Sequence, residues 1–128
     1  MPMTHPEVVT AARQLMDRTD AATAGLWPRA TALLARQALE GALDDLWKVR
    51  APGVEQCSVH AQLLCLSQYL QDEVLAERVS YAWAALSRAC HQHPYELPPT
   101  VAELDGWLNV VSQFLTKVEA VSFPTRES

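Results

Sequence analysis

Residues 27–49, WPRATALLARQALEGALDDLWKV, decide the fold. Ala32, Ala35, Leu39, Ala42, Leu43 and Leu46 recur there at spacings of three and four, which gathers them on one face of an amphipathic helix. Pro28 belongs in its first turn or at a kink, because proline has no N–H to donate to the preceding turn. Ala51-Pro52-Gly53 stops it. Upstream, Thr4-His5-Pro6-Glu7 is a capping box with proline in the first turn. It opens a helix bearing Val8, Val9, Ala12, Leu15 and Met16 that fades at Thr19-Asp20.

Downstream, Ser58 is a cap for a short helix carrying Leu63, Leu64, Leu66 and Leu70, with Gln71-Asp72-Glu73 as the turn after it. A helix over about residues 74–91 places Leu75, Val79, Ala82, Trp83, Leu86 and Cys90 on one face. The proline-rich break at residues 93–99 ends it. Thr100-Val101-Ala102-Glu103 is a second capping box. It launches a last helix through Leu104, Trp107, Leu108, Val111, Phe114, Leu115 and Val118. Four substantial helices with short connections predict an all-α fold, an antiparallel four-helix bundle with a short extra helix. Residues 1–121 form its single domain, and residues 122–128 are a polar, frayed tail.

Composition agrees with helix and narrows the function classes. The chain has 128 residues, room for one core. Nineteen alanines and seventeen leucines stand against four glycines and no isoleucine, which favours helix over sheet. A formal charge of −5 gives no global cationic field, so any polyanion must be met by a local arginine cluster. No apolar run reaches the roughly 18 residues of a spanning helix, and the start shows no secretory pattern. A cytoplasmic protein with no membrane partner is expected. Three cysteines, Cys57, Cys65 and Cys90, form no CxxC pair and read as reduced thiols.

The helix over residues 74–91 carries a second stripe, Tyr81, Ala84, Ala85 and Arg88, opposite its leucines. Small residues flanked by Tyr and Arg fit a surface covered by another helix, with a two-fold homodimer the simplest source of one. Alanine as a plain helix former is the other reading. Arg88 lies close in sequence to His93, which precedes Pro94 and so leaves the α region. A turn there can swing the imidazole back toward Arg88. Guanidinium and imidazole together are the minimum kit for phosphodiester cleavage: one holds the phosphate, the other moves protons.

Arg88-Ala-Cys-His-Gln-His93 resembles the Arg-x4–6-His motif of HEPN domains (higher eukaryotes and prokaryotes nucleotide-binding) and sits where that family keeps it, before the last helix. The resemblance implies a HEPN-like helical homodimer with a composite site at the interface. It implies metal-independent endoribonuclease action, without cofactor, leaving 2′,3′-cyclic phosphate and 5′-hydroxyl ends. It also implies a bacterial toxin or phage-defence effector, with RNA as substrate. Arg88-x4-His93-Pro94-Tyr95 is similar to the Arg-x4-His-x-Tyr form of HEPN toxins paired with a nucleotidyltransferase antitoxin, in which the tyrosine receives AMP. That makes Tyr95 an auxiliary site residue; the bland reading has it packing in the break. Ala89 departs from the family, which usually has a polar residue there. The alternative reading is therefore a non-catalytic HEPN-like bundle that binds a nucleotide, RNA or a protein.

Bland readings stand beside the remaining features. His91 is either a helix C-terminal histidine or an auxiliary cation near the phosphate. Cys57-x2-His60, Cys65 and Cys90-His91-x-His93 hold soft ligands, but their spacing matches no zinc module, so no metal site is expected. Arg29, Arg36, Lys48 and Arg50 read as a solvated edge or as a lead for RNA phosphates. Glu40, Asp44 and Asp45 read as a solvated helix face, and Trp83 and Trp107 as core or interface.

Overall fold

The computed structural model describes residues 3–17, 27–91 and 96–122. Five helices account for most of these residues, and no strand occurs among them: α1 His5–Asp17, α2 Trp27–Arg50, α3 Val59–Leu70, α4 Glu73–Cys90 and α5 Val101–Ser122. A 3-10 turn, Val54–Gln56, links α2 to α3.

The longest helix is the central one. α2 packs against α1, α4 and α5 and touches the 3-10 turn and α3. Its expected face is fully buried, and Pro28, Thr31, Ala38 and Trp47 widen the covered arc beyond what one neighbour requires. Alanine at positions 32, 35, 38 and 42 keeps that surface low, so neighbouring helices approach closely. Polar contacts fix the directions. His5 at the start of α1 meets Asp45 near the end of α2, and Arg13 one helix-half later meets Asp105 and Asn109 early in α5. Arg29 at the start of α2 meets the end of α4 at Cys90, while Glu40 meets Trp83 further back. So α1 runs antiparallel to α2, and α2 antiparallel to α4.

Each expected cap forms. Thr4 Oγ1 accepts from the Glu7 N–H at 3.3 Å, and Ser58 Oγ accepts from Ala61 N–H at 3.2 Å. The Thr100–Glu103 box closes reciprocally, at 3.0 and 3.1 Å. The 71–73 segment differs from the expectation of a plain turn. Asp72 caps α4 by accepting from Leu75 N–H at 2.9 Å, so Glu73 is already helical. α3 turns Gln62, Leu63, Leu66 and Leu70 inward and leaves Leu64 73% exposed. One further correction follows from packing. Ser122, placed in the tail, is the buried last residue of α5. Residues 123–128 lie outside the described residues.

Trp47 anchors the far end of α2. Its indole N–H donates to Gln62 Oε1 at 2.9 Å, and Gln62 Nε2 donates to the Cys57 carbonyl at 2.9 Å. Tyr69 meets the indole edge-on, with centroids 5.4 Å apart. This buried polar chain ties α3 to α2, and burial makes each bond costly to leave unmade.

Two chain reversals among the described residues use opposite solutions. Gly53 sits at φ 106°, where a side chain is disfavoured, whereas Gln71 ends α3 at φ 61° despite its Cβ. Gln71→Gly is expected to raise the unfolding free energy, and Gly53→Ala to lower it, each by about 1 kcal/mol in denaturant titrations.

Candidate functional site

The C-terminal end of α4 is where the sequence placed its motif. Arg88 occupies the last turn and is exposed, and its side chain makes no hydrogen bond or ion pair with a described residue. Its carbonyl accepts from His91 N–H at 3.2 Å, which makes the exposed His91 the C-cap of the helix, as one of its two readings held. Gln92, His93, Pro94 and Tyr95 lie outside the described residues, so the expected positions of His93 and Tyr95 relative to Arg88 do too.

Ala89, the departure from the motif, is buried against the core. A polar side chain at that position would need a hydrogen-bond partner inside the helix packing. The chain meets that constraint with a methyl group.

The stripe on α4 faces outward. Tyr81 is 73% exposed, Ala84 and Arg88 are exposed, and Ala85 is half-buried. It is longer than the sequence reading made it. Val74, exposed at the start of α4, precedes Tyr81 by seven residues, and Arg88 follows by seven, so the three share one line along the helix.

A second guanidinium reaches the same helix end from α2. Arg29 Nε donates to the Cys90 carbonyl at 2.7 Å, completing an acceptor that the helix itself leaves open. Sequence reasoning left Arg29 on a solvated edge. The signal that could have found it is its place one turn into α2, opposite the α4 terminus in an antiparallel pair. Glu40, also read as solvated, accepts from Trp83 Nε1 at 3.1 Å and lies 3.9 Å from Arg36 Nε. Arg29, Arg36 and Glu40 share the face of α2 turned to α4, and all three act on Cys90. Burial pushes the Cys90 thiol up, against the pull of Arg36 and Arg29; Glu40 adds to the rise.

Metal chemistry has no counterpart among the described residues, where no three His, Cys, Asp or Glu side chains gather as ligands. Cys57 and Cys65 are exposed on the other side of the α3 region, and Cys90 is buried under α2. No helix of the described residues is long and apolar enough to cross a membrane.

A cleft of about 760 Å³ lies elsewhere, between α1, α2 and α5. At its edge His5 Nε2 meets Asp45 Oδ2 at 2.9 Å, and Asp45 stays exposed on the solvated face of α2. The imidazole lies directly over Gly41, in space that a Cβ on that residue would fill.

The thiols provide a direct check on this arrangement. Cys57 and Cys65 should react with an excess of a maleimide in the native protein, while Cys90 should react only under denaturing conditions, as counted by intact-mass spectrometry. Comparison of the chain with protein-family models, with curated proteins and with solved structures returned no match.

Proposed function

We propose that the protein is a HEPN-type endoribonuclease, a homodimer whose site combines Arg88 and His93 from both protomers. The observation that carries this reading is the exposed guanidinium of Arg88 in the last turn of α4, which has no partner among the described residues. It stands on an outward stripe of Tyr81, Ala84 and Ala85, and the motif histidine follows within five residues. A cation without a carboxylate partner among the described residues, on an acidic chain, suits a phosphate.

In this reading His93 takes the proton from the ribose 2′-hydroxyl, whose oxygen then attacks phosphorus. The 5′-oxygen leaves with a proton from the second imidazole of the dimer, giving a 2′,3′-cyclic phosphate and a 5′-hydroxyl. Arg88 stabilises the charge that builds on the non-bridging oxygens. His91 and Arg29, both at the α4 terminus, are auxiliary cations for the flanking phosphates. Tyr95 is the hydroxyl open to an AMP-transferring nucleotidyltransferase antitoxin, and the biological setting is a bacterial toxin or phage-defence effector.

Buried Ala89 favours one rival, a HEPN-like bundle that binds RNA, a nucleotide or a protein without cleaving it. The deciding experiment is RNA cleavage with EDTA present. The nuclease reading expects cyclic-phosphate ends from the unaltered protein and a loss of about 100-fold or more in both Arg88→Ala and His93→Ala, with helical circular dichroism unchanged. Activity that survives both substitutions overturns it; binding without product supports the rival.

The dimer is tested separately. Light scattering should give twice 14.2 kDa for the unaltered chain. Ala84→Glu, at an exposed helical position that tolerates it within about 0.5 kcal/mol of stability, should give the monomer.

A further inference from the structure

We propose that the cleft between α1, α2 and α5 is a binding site for a small amphipathic amine, a molecule with one ammonium group on an apolar body. The cleft is remote from the motif residues of α4, and the proposal stands apart from the nuclease reading. Its size, about 760 Å³, is that of small-molecule sites. Val9, Ala42, Leu115 and Val118 supply an apolar floor.

Apart from the Ser112 hydroxyl, the polar side chains around that floor offer mainly acceptors. Thr10 Oγ1 donates its proton to the Pro6 carbonyl, and Thr116 Oγ1 donates to the Ser112 carbonyl, both at 3.1 Å. Each hydroxyl is left with acceptor capacity alone. Asp45 and Glu119 add two carboxylates. The one arginine of the lining is already committed: Arg13 donates to Asp105 at 2.7 Å and to Asn109 at 2.6 Å. His5 is bound to Asp45. A ligand that complements this set must bring donors and positive charge, and its remainder must be apolar.

The carboxylate of Asp45 is held rather than free to swing. His5 fixes it from above, and His5 in turn rests on Gly41. Glycine in a helix interior costs about 1 kcal/mol relative to alanine, and α2 carries it where the imidazole needs the space. His5 and Gly41 are positioning residues here, and Asp45 and Glu119 are the binding groups.

Three probes with one apolar body separate the head-group chemistries: phenylbutylamine, phenylbutanol and phenylbutanoate. Titrated into the full chain and followed by amide NMR, the amine should bind roughly tenfold more tightly than either of the others. Its shifts should centre on Val9, Ala42 and Leu115. Asp45→Asn with Glu119→Gln should remove that preference and leave the three probes equal. Thr116→Trp, which fills the cleft from an exposed position, should abolish binding of all three while the unfolding midpoint stays unchanged. Equal binding of the three probes to the unaltered chain, tighter binding of the carboxylate, no binding at all, or shifts confined to another surface would each overturn the proposal.

Discussion

Everything in this molecule is arranged around the burial of α2. A helix covered by α1, α4 and α5 cannot carry bulky side chains toward each of them at the usual spacing, so it presents alanine to its neighbours and keeps leucine for the gaps. Ala32, Ala35, Ala38 and Ala42 are fully or almost fully buried. The same constraint explains the interior glycine at position 41, where even a methyl group would collide with the imidazole of His5. It also explains why the polar ends of α2 are used as fasteners. Arg29 closes the terminus of α4, and Trp47 holds Gln62 of α3.

Those fasteners determine what remains available for chemistry. On α4, the residues turned to α2 are consumed: Trp83 donates to Glu40, and Cys90 sits under Arg29 and Arg36. What is left faces outward, a line from Val74 through Tyr81 to Arg88, with only small residues between the last two. Arg88 therefore differs from Arg13, Arg29 and Arg36, which hydrogen-bond across helices or stand beside a carboxylate. Arg78, exposed on the same face of α4, likewise makes no hydrogen bond or ion pair with a described residue, so it is the place of Arg88 in the last turn, just before His93, that carries the functional proposal. The cleft on the opposite side of α2 shows the converse case, in which donors are spent on the protein itself and acceptors face the opening.

Much of the fold was legible because helices are locally encoded. The period of apolar residues over 27–49 matches α2 to within a residue, and the capping boxes at Thr4 and Thr100 start α1 and α5 where the pattern put them. Asp72 was missed as a cap because Gln71-Asp72-Glu73 reads as one polar turn. Left-handed Gln71 and extended Asp72 are all that separates the end of α3 from the start of α4. α3 is short and apolar on more than one side, so its period alone does not say that Leu64 is the leucine that faces out.

Patterns three and four residues long carry the helices, the caps at Thr4, Ser58 and Thr100, the amphipathic face of α2 and the stripe on α4. The long-range partnerships come from packing: His5 with Asp45 across 40 positions, Arg29 with Cys90 across 61, and Arg13 with Asp105 across 92. Charged side chains at such separations have no periodic signature. Which of them is a fastener and which stays open depends on where helix packing sets them down, and that is a property of the assembled core.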